Sequence, residues 1–242
     1  MQPASIAVLG AGSWGTALAI HLARNGSAVA LWGHTTDQVD ALRRDRENRH
    51  YLPGIAFPAA LTPTGDLGGA LNAADEVLVV VPSHAFAEVC TQIAELRPDL
   101  QRLGWATKGF DPVSGELLSE VAADRLSGCS LAVVSGPTFA GEVARGLPTA
   151  ITVAADSPAH AERVAAYLHG ENFRAYTSSD LIGVQVGGAS KNVMAIAAGG
   201  LGILSASAMG SAAFVILLVM SLLGLSYNLY LLPNSFDCKF RR

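Results

Sequence analysis

A short apolar run, Ile6–Leu9, leads directly into Gly10-Ala11-Gly12-Ser13-Trp14-Gly15, and an amphipathic stretch from Trp14 to Arg24 follows. Strand, G-x-G-x-x-G, helix: that order leaves few folds open. Gly10 allows a tight turn, Gly12 lets a pyrophosphate approach the backbone, and Gly15 lets helix and strand pack closely. The unpaired N–H groups at the helix start then face the phosphate charge. Glycines also mark ordinary strand–helix turns. Here the strand, the helix and the position near the start of the chain all favour a dinucleotide site.

The chain repeats this alternation up to about residue 178. Asn25-Gly26 closes the first helix, Ala28–Trp32 reads as a second strand, and Thr36–Arg46 as a charge-rich helix. A loop containing Pro53, Pro58 and Pro63 follows. Val77–Val81, Gly104–Thr107, Leu131–Val134, Ala150–Ala154 and Phe173–Tyr176 read as strands; Ala85–Leu96, Glu116–Arg125 and Ala159–His169 read as helices. Continuous apolar strands between helices predict a parallel sheet covered on both faces. The expected architecture is α/β, a doubly wound Rossmann-type domain over residues 1–178. Small and apolar residues from Asp180 to Ala198 predict a tightly packed helix. Residues 179–242 would then be the start of an incomplete all-helical C-terminal domain.

Composition narrows the function classes. With 50% hydrophobic and 15% charged residues, the chain is not of the disordered kind. Sixteen Lys+Arg against 20 Asp+Glu, with no dense basic run, argue against nucleic-acid binding. Cys90, Cys129 and Cys238 lie far apart with no C-x-x-C pair, which predicts neither a disulfide framework nor a zinc site and suits a reducing cytoplasm. The opening residues lack a basic n-region, so no signal peptide is expected. The histidines never fall at metal-ligand spacing, and no G-x-S-x-G elbow exists.

In an open α/β sheet the site lies beyond the carboxyl ends of the strands. An NAD-specific site usually carries an acid at the end of the second strand; here Gly33-His34 stands there, with no acid before Asp37. Without that carboxylate a 2′-phosphate is not repelled and His34 would contact it, so NADP is expected alongside NAD. Arg43, Arg44 and Arg46 are read either as further cations or as a solvated helix face. Val81-Pro82-Ser83-His84, Thr107-Lys108-Gly109 and Ser135-Gly136-Pro137-Thr138-Phe139-Ala140 are the other polar strand ends. Lys108 is either a grip for an anionic substrate or a surface lysine in a loop. Lys191 is the only charge between Asp180 and Asp237, in a run of Gly, Ala and Val. A buried lysine costs free energy unless it has a partner or a task. General acid/base work and a snorkelling position at a helix edge are both open.

Together GAGSWGTA (Gly10–Ala17), LWGH (Leu31–His34), VVPSH (Val80–His84), WATKG (Trp105–Gly109), SGPTFA (Ser135–Ala140), LPTA (Leu147–Ala150) and GASKNVMAIAAG (Gly188–Gly199) resemble the bacterial NAD(P)-dependent glycerol-3-phosphate dehydrogenases. The resemblance runs in order over about residues 4–199. It implies reduction of glycerone phosphate to sn-glycerol 3-phosphate by hydride transfer from NAD(P)H, at the head of phospholipid synthesis, by a homodimeric cytoplasmic enzyme. By motif, Gly10, Gly12, Ser13, Trp14, Gly15, His34 and Ala140 would hold the cofactor. Lys108 would touch cofactor and substrate, Gly136 and Thr138 would hold the substrate, and Lys191 would exchange the proton with its C2 oxygen.

After Gly199 the pattern departs. The family continues through an Asn–Arg-containing helix that clamps the substrate phosphate, and none of it is visible in Gly200–Arg242. Asn192–Phe236 carries no Asp, Glu, Lys, Arg or His. Three readings stand: a truncated or frameshifted frame after about residue 199, a membrane-spanning tail over Ala212–Leu232, or a buried helix pair. The alternative to an active enzyme is a non-catalytic NADP-binding fragment.

Overall fold

In β1 (Ser5–Leu9), Ile6 and Val8 project to one face of the sheet and Ala7 and Leu9 to the other, and all four are buried. A strand apolar on both sides must be covered on both sides. The computed structural model describes residues 4–190, and of these residues 4–189 belong to one compact unit. The chain runs β1, α1 (Ser13–Arg24), β2 (Ala28–Trp32), α2 (Thr36–Asp45), β3 (Leu61–Thr64), α3 (Leu67–Asn72), β4 (Glu76–Val79) and α4 (Ser83–Leu96). It continues through β5 (Arg102–Trp105), α5 (Leu118–Arg125), β6 (Ser130–Ser135), α6 (Ala140–Arg145), β7 (Thr149–Ala155), α7 (Pro158–Leu168) and β8 (Phe173–Ser178). Residues 181–190 form the last described helix, α8.

The strands make one sheet in the order β3-β2-β1-β4-β5-β6-β7-β8. Leu18, Ile20 and Leu22 of α1 and Val164 and Leu168 of α7 fill one face. Phe86, Val89 and Ile93 of α4, Leu118 and Val121 of α5, and Leu71 of α3 fill the other. This is the expected Rossmann-type, doubly wound α/β arrangement.

Two expectations need correcting. The sheet is not parallel throughout: β7 runs antiparallel to β6, and β8 then runs parallel to β7. The loop holding Pro63 contains β3, an edge strand on β2. Proline can sit there because an edge residue need not donate to a ladder. Two short helices, α3 and α6, also lie in stretches with no helical reading; Asp66 caps α3 through the Gly69 N–H at 2.9 Å.

Two histidines are withdrawn from solvent inside this frame, His21 half-buried and His160 buried. His21 stacks on Phe173 at 4.2 Å, and its Nε2 lies 2.6 Å from the Leu168 carbonyl. His160 is 2% exposed, with Nδ1 3.0 Å from Ser130 Oγ. Burial lowers both pKa values below that of a free imidazole. The unfolded chain then binds these protons more readily than the folded one. The stabilisation is full above about pH 6.5 and is lost as pH falls below it, by up to about 1.4 kcal/mol per pH unit for each group. Urea midpoints measured from pH 8 to pH 5 should fall in that window, and a His160→Asn chain should show a shallower fall. An unchanged slope would refute the assignment.

Candidate functional site

At the crest of the sheet β1 has β2 on one side and β4 on the other, all three parallel, and the order of strand addition reverses between β3 and β4. A cleft of about 900 Å³ opens there, lined by Gly10, Gly12, Ser13, Trp14, His34, Lys108, Thr138 and Ala140 among others. That volume suits a large cofactor.

The three motif glycines do different work. Gly10 has φ +123°, and a Cβ on it would lie 2.6 Å from the Val80 carbonyl oxygen. A Cβ on Gly15 would run into the Gly10 carbonyl. Both serve the protein's own backbone. Gly12 has nothing within 4 Å of a Cβ position, so its bare backbone is not explained by packing. It is the N-cap of α1, whose first turn holds no acidic residue. The N–H groups opening that helix have no intrahelical acceptor and carry the positive end of its dipole. This cradle fits the pyrophosphate of a dinucleotide.

Two amides support the turn from below. Gln38 Nε2 donates to the Ala11 carbonyl at 2.9 Å. Asn48, 2% exposed, donates to the same carbonyl at 3.0 Å and to Thr16 Oγ1 at 2.8 Å. Sequence reading missed both, since they act across 27 and 37 residues. His34 is exposed on the rim of the cleft. Arg43, Arg44 and Arg46 line no part of it. Arg43 donates to the Pro63 carbonyl at 3.1 Å and Arg44 pairs with Asp45 at 2.9 Å. Arg46 donates to the carbonyls of Leu61 and Pro58, each at 2.8 Å. The extra-cation reading of these three is therefore set aside: their guanidinium groups are engaged in joining α2 to β3, or lie on the solvated helix face.

On the other side, Thr107 Oγ1 donates to the Val81 carbonyl at 2.8 Å and ties the end of β5 to the end of β4. Lys108 follows, its Nζ 3.2 Å from the Gly136 carbonyl and 5.7 Å from the centre of the Trp14 ring. The amine therefore lies over the crevice rather than in a solvated loop. Gly136 is demanded by packing, since a Cβ there would lie 2.9 Å from the Ala150 carbonyl oxygen of β7. Thr138 Oγ1 and Trp14 Nε1 are buried with no hydrogen-bond partner in the protein.

Lys108 also borders a small cavity of about 10 Å³ shared with Ser135, Gln185 and Gly188, room for about one water. Gln185 fixes α8: its Oε1 accepts from the Ser119 N–H at 3.0 Å and its Nε2 donates to Ser119 Oγ at 2.9 Å. A Cβ on Gly188 would lie 2.5 Å from Ser135 Oγ, so α8 approaches β6 closely here and a larger residue would force the Ser135 hydroxyl to turn. Lys191, three residues further on, lies outside the described residues, as do the readings of the tail, Ala212–Leu232 included. Among the described residues no helix is long and apolar enough to cross a membrane, and no cluster of His, Cys, Asp or Glu could hold a metal.

Residues 5–161 match the family model described as NAD-dependent glycerol-3-phosphate dehydrogenase N-terminus. A glycerol-3-phosphate dehydrogenase [NAD(P)+] from Xanthomonas euvesicatoria pv. vesicatoria is 56% identical over 195 residues, 80% of this chain and 57% of that protein. The enzyme of the same name from Thioalkalivibrio sulfidiphilus is 53% identical over 200 residues, 82% of this chain and 60% of that protein. The chain thus spans rather more than half the length of these relatives. Among solved structures, glycerol-3-phosphate dehydrogenase from Coxiella burnetii superposes with a TM-score of 0.83 at 41% identity, covering 94% of this chain and 69% of that one. Glycine turn, strand order and family model agree: the chain belongs to the NAD-dependent glycerol-3-phosphate dehydrogenase family.

Proposed function

We propose that this protein reduces glycerone phosphate to sn-glycerol 3-phosphate with NADPH or NADH, or descends from an enzyme that does. The observation carrying the reading is that one cleft joins the bare backbone of Gly12 to the amine of Lys108 and to Thr138. The turn at Gly10–Gly15 and the start of α1 hold the pyrophosphate, and Ala140 closes the wall opposite. With Gly33-His34 at the end of β2 and no acid beside it, a ribose 2′-hydroxyl and a 2′-phosphate are both admitted. Bound NAD(P)H supplies a hydride to the ketone carbon.

The chain's residues do the rest. Lys108, the Gly136 backbone and Thr138 hold the phosphorylated ketone, and the otherwise unpartnered Thr138 hydroxyl gains an acceptor. As negative charge develops on the C2 oxygen, the Lys191 ammonium donates a proton to it and recovers one from solvent. Residues 179–242 are then the beginning of the substrate domain, and the cytoplasm is the compartment that fits.

A second reading is favoured by one observation: the Asn–Arg pattern expected to clamp the substrate phosphate is not visible in Gly200–Arg242. It would bind the nucleotide without turning over. Two measurements on the full chain separate the readings. Quenching of protein fluorescence should report NADPH binding in either case. Loss of absorbance at the reduced nicotinamide band on adding glycerone phosphate occurs only in the first, and should drop at least about a hundredfold in Lys191→Ala or Lys108→Ala. Absence of NADPH binding would overturn both readings.

A further inference from the structure

We propose that Trp14 is a positioning residue for Lys108: its indole face holds the ammonium over the cleft. The inference rests on the functional reading above, since it says how the amine assigned to the ligand is kept in place.

A lysine side chain loses much rotamer freedom when it is fixed. This one lies beside the start of α1, where the helix dipole presents positive charge and disfavours an ammonium. A carboxylate partner would hold it but would also repel a phosphorylated ligand. Among the described residues lining the cleft, Glu88 is the one carboxylate. Two contacts of the amine are of another kind. The Gly136 carbonyl accepts from it at 3.2 Å, and the Trp14 ring centre lies 5.7 Å away, within cation–π reach. Neither carries a net charge, so neither of these two contacts offsets the charge the amine offers to an anion.

The ring is a fixed platform. Trp14 belongs to the first turn of α1 and packs against the core beneath that helix, so its orientation is set before any ligand arrives. One side chain thus links the phosphate cradle, through its backbone, to the substrate side, through its ring. Reading G-x-G-x-x-G as a backbone motif gives the residue at this position no such task.

The test uses the full chain, whose lysines are Lys108, Lys191 and Lys239. Reductive methylation with ¹³C-formaldehyde labels each amine and keeps its charge; Lys108→Arg assigns the Lys108 signal. Over an indole face that signal should be displaced upfield by the ring current. It should move to the position of a free lysine in Trp14→Leu and stay displaced in Trp14→Tyr. A Lys108 signal already at the free-lysine position in the parent overturns the proposal.

A double-mutant cycle on NADPH affinity is the second readout. Trp14→Leu should weaken binding about tenfold when Lys108 is present, and less than about twofold in a Lys108→Ala background. Trp14→Tyr should recover most of the loss. Equal losses in both backgrounds would mean that the ring acts on the nucleotide directly, and would overturn the proposal. If the parent binds no NADPH, the functional reading fails on its own, while the methyl signal still decides whether the ring holds the amine.

Discussion

Gly10→Ala is expected to cost the fold about 4 kcal/mol, while Gly12→Ala should melt within about a degree of the parent and lose NADPH affinity about a hundredfold. The two glycines stand two positions apart in one motif, yet their surroundings differ. Gly10 sits at φ +123°, a backbone region that L residues rarely adopt, and strain of that kind costs of order 1–3 kcal/mol. Its added Cβ would also lie 2.6 Å from the Val80 oxygen and 2.8 Å from the Val80 carbonyl carbon. These are backbone atoms beyond the end of β4, so relief requires the ends of β1 and β4 to part. Gly12 has φ −77° and open space where a Cβ would go. Alanine there costs little in the free chain and stands where the pyrophosphate must approach. Thermal melts by circular dichroism and NADPH fluorescence titrations separate the two losses. A Gly12→Ala chain that binds like the parent would remove the cofactor from the place assigned to it.

That contrast also marks how far the sequence could be read. The β1–turn–α1 unit was legible because every signal for it is local: an apolar run, glycines at fixed spacing, then helical periodicity. β3 was not, because a four-residue strand containing Pro63 looks like loop; only its place at the sheet edge makes it possible. The direction of β7 was hidden for a different reason. An apolar run has no polarity, and direction depends on whether the connection can return along the sheet. α6 has six residues and reaches about 9 Å, against about 20 Å for the six-residue β6. The chain therefore re-enters the sheet from the same end.

The site divides in the same way. Lys108 stood out as a cation at a strand end, whereas Gln38 and Asn48 look like ordinary surface amides. Their work, holding the Ala11 carbonyl, exists only once distant segments meet. Trp14 was legible as a member of the glycine motif, but nothing in its spacing to Lys108 brings their side chains together.

Glu76 escaped sequence reading altogether, and removing it should produce the largest loss away from the cleft. It opens β4 at 2% exposure, with Oε1 accepting from Arg163 Nε of α7 and from Arg102 Nη2 of β5, the latter at 3.4 Å. One carboxylate thus joins two strands and the helix that covers them. Glu76→Ala leaves two guanidinium groups facing each other without an acceptor, and breaking a buried ion pair costs about 3–5 kcal/mol. The arginine side chains are 36% and 49% exposed and can turn toward water, which places the expected cost near 3 kcal/mol and the drop in melting temperature near 6–12 °C. Arg102→Ala and Arg163→Ala should each cost about 1 kcal/mol, because Glu76 keeps one partner in either case. The double variant should lose more than the sum, since the carboxylate is then buried alone. NADPH affinity should stay unchanged throughout, because Glu76 lies at the opening end of β4 and the cleft beyond its closing end. Urea denaturation of the single and double variants gives all four values. A Glu76→Ala cost below about 1 kcal/mol, or additive arginine losses, would show that the carboxylate is not the joint of these three elements.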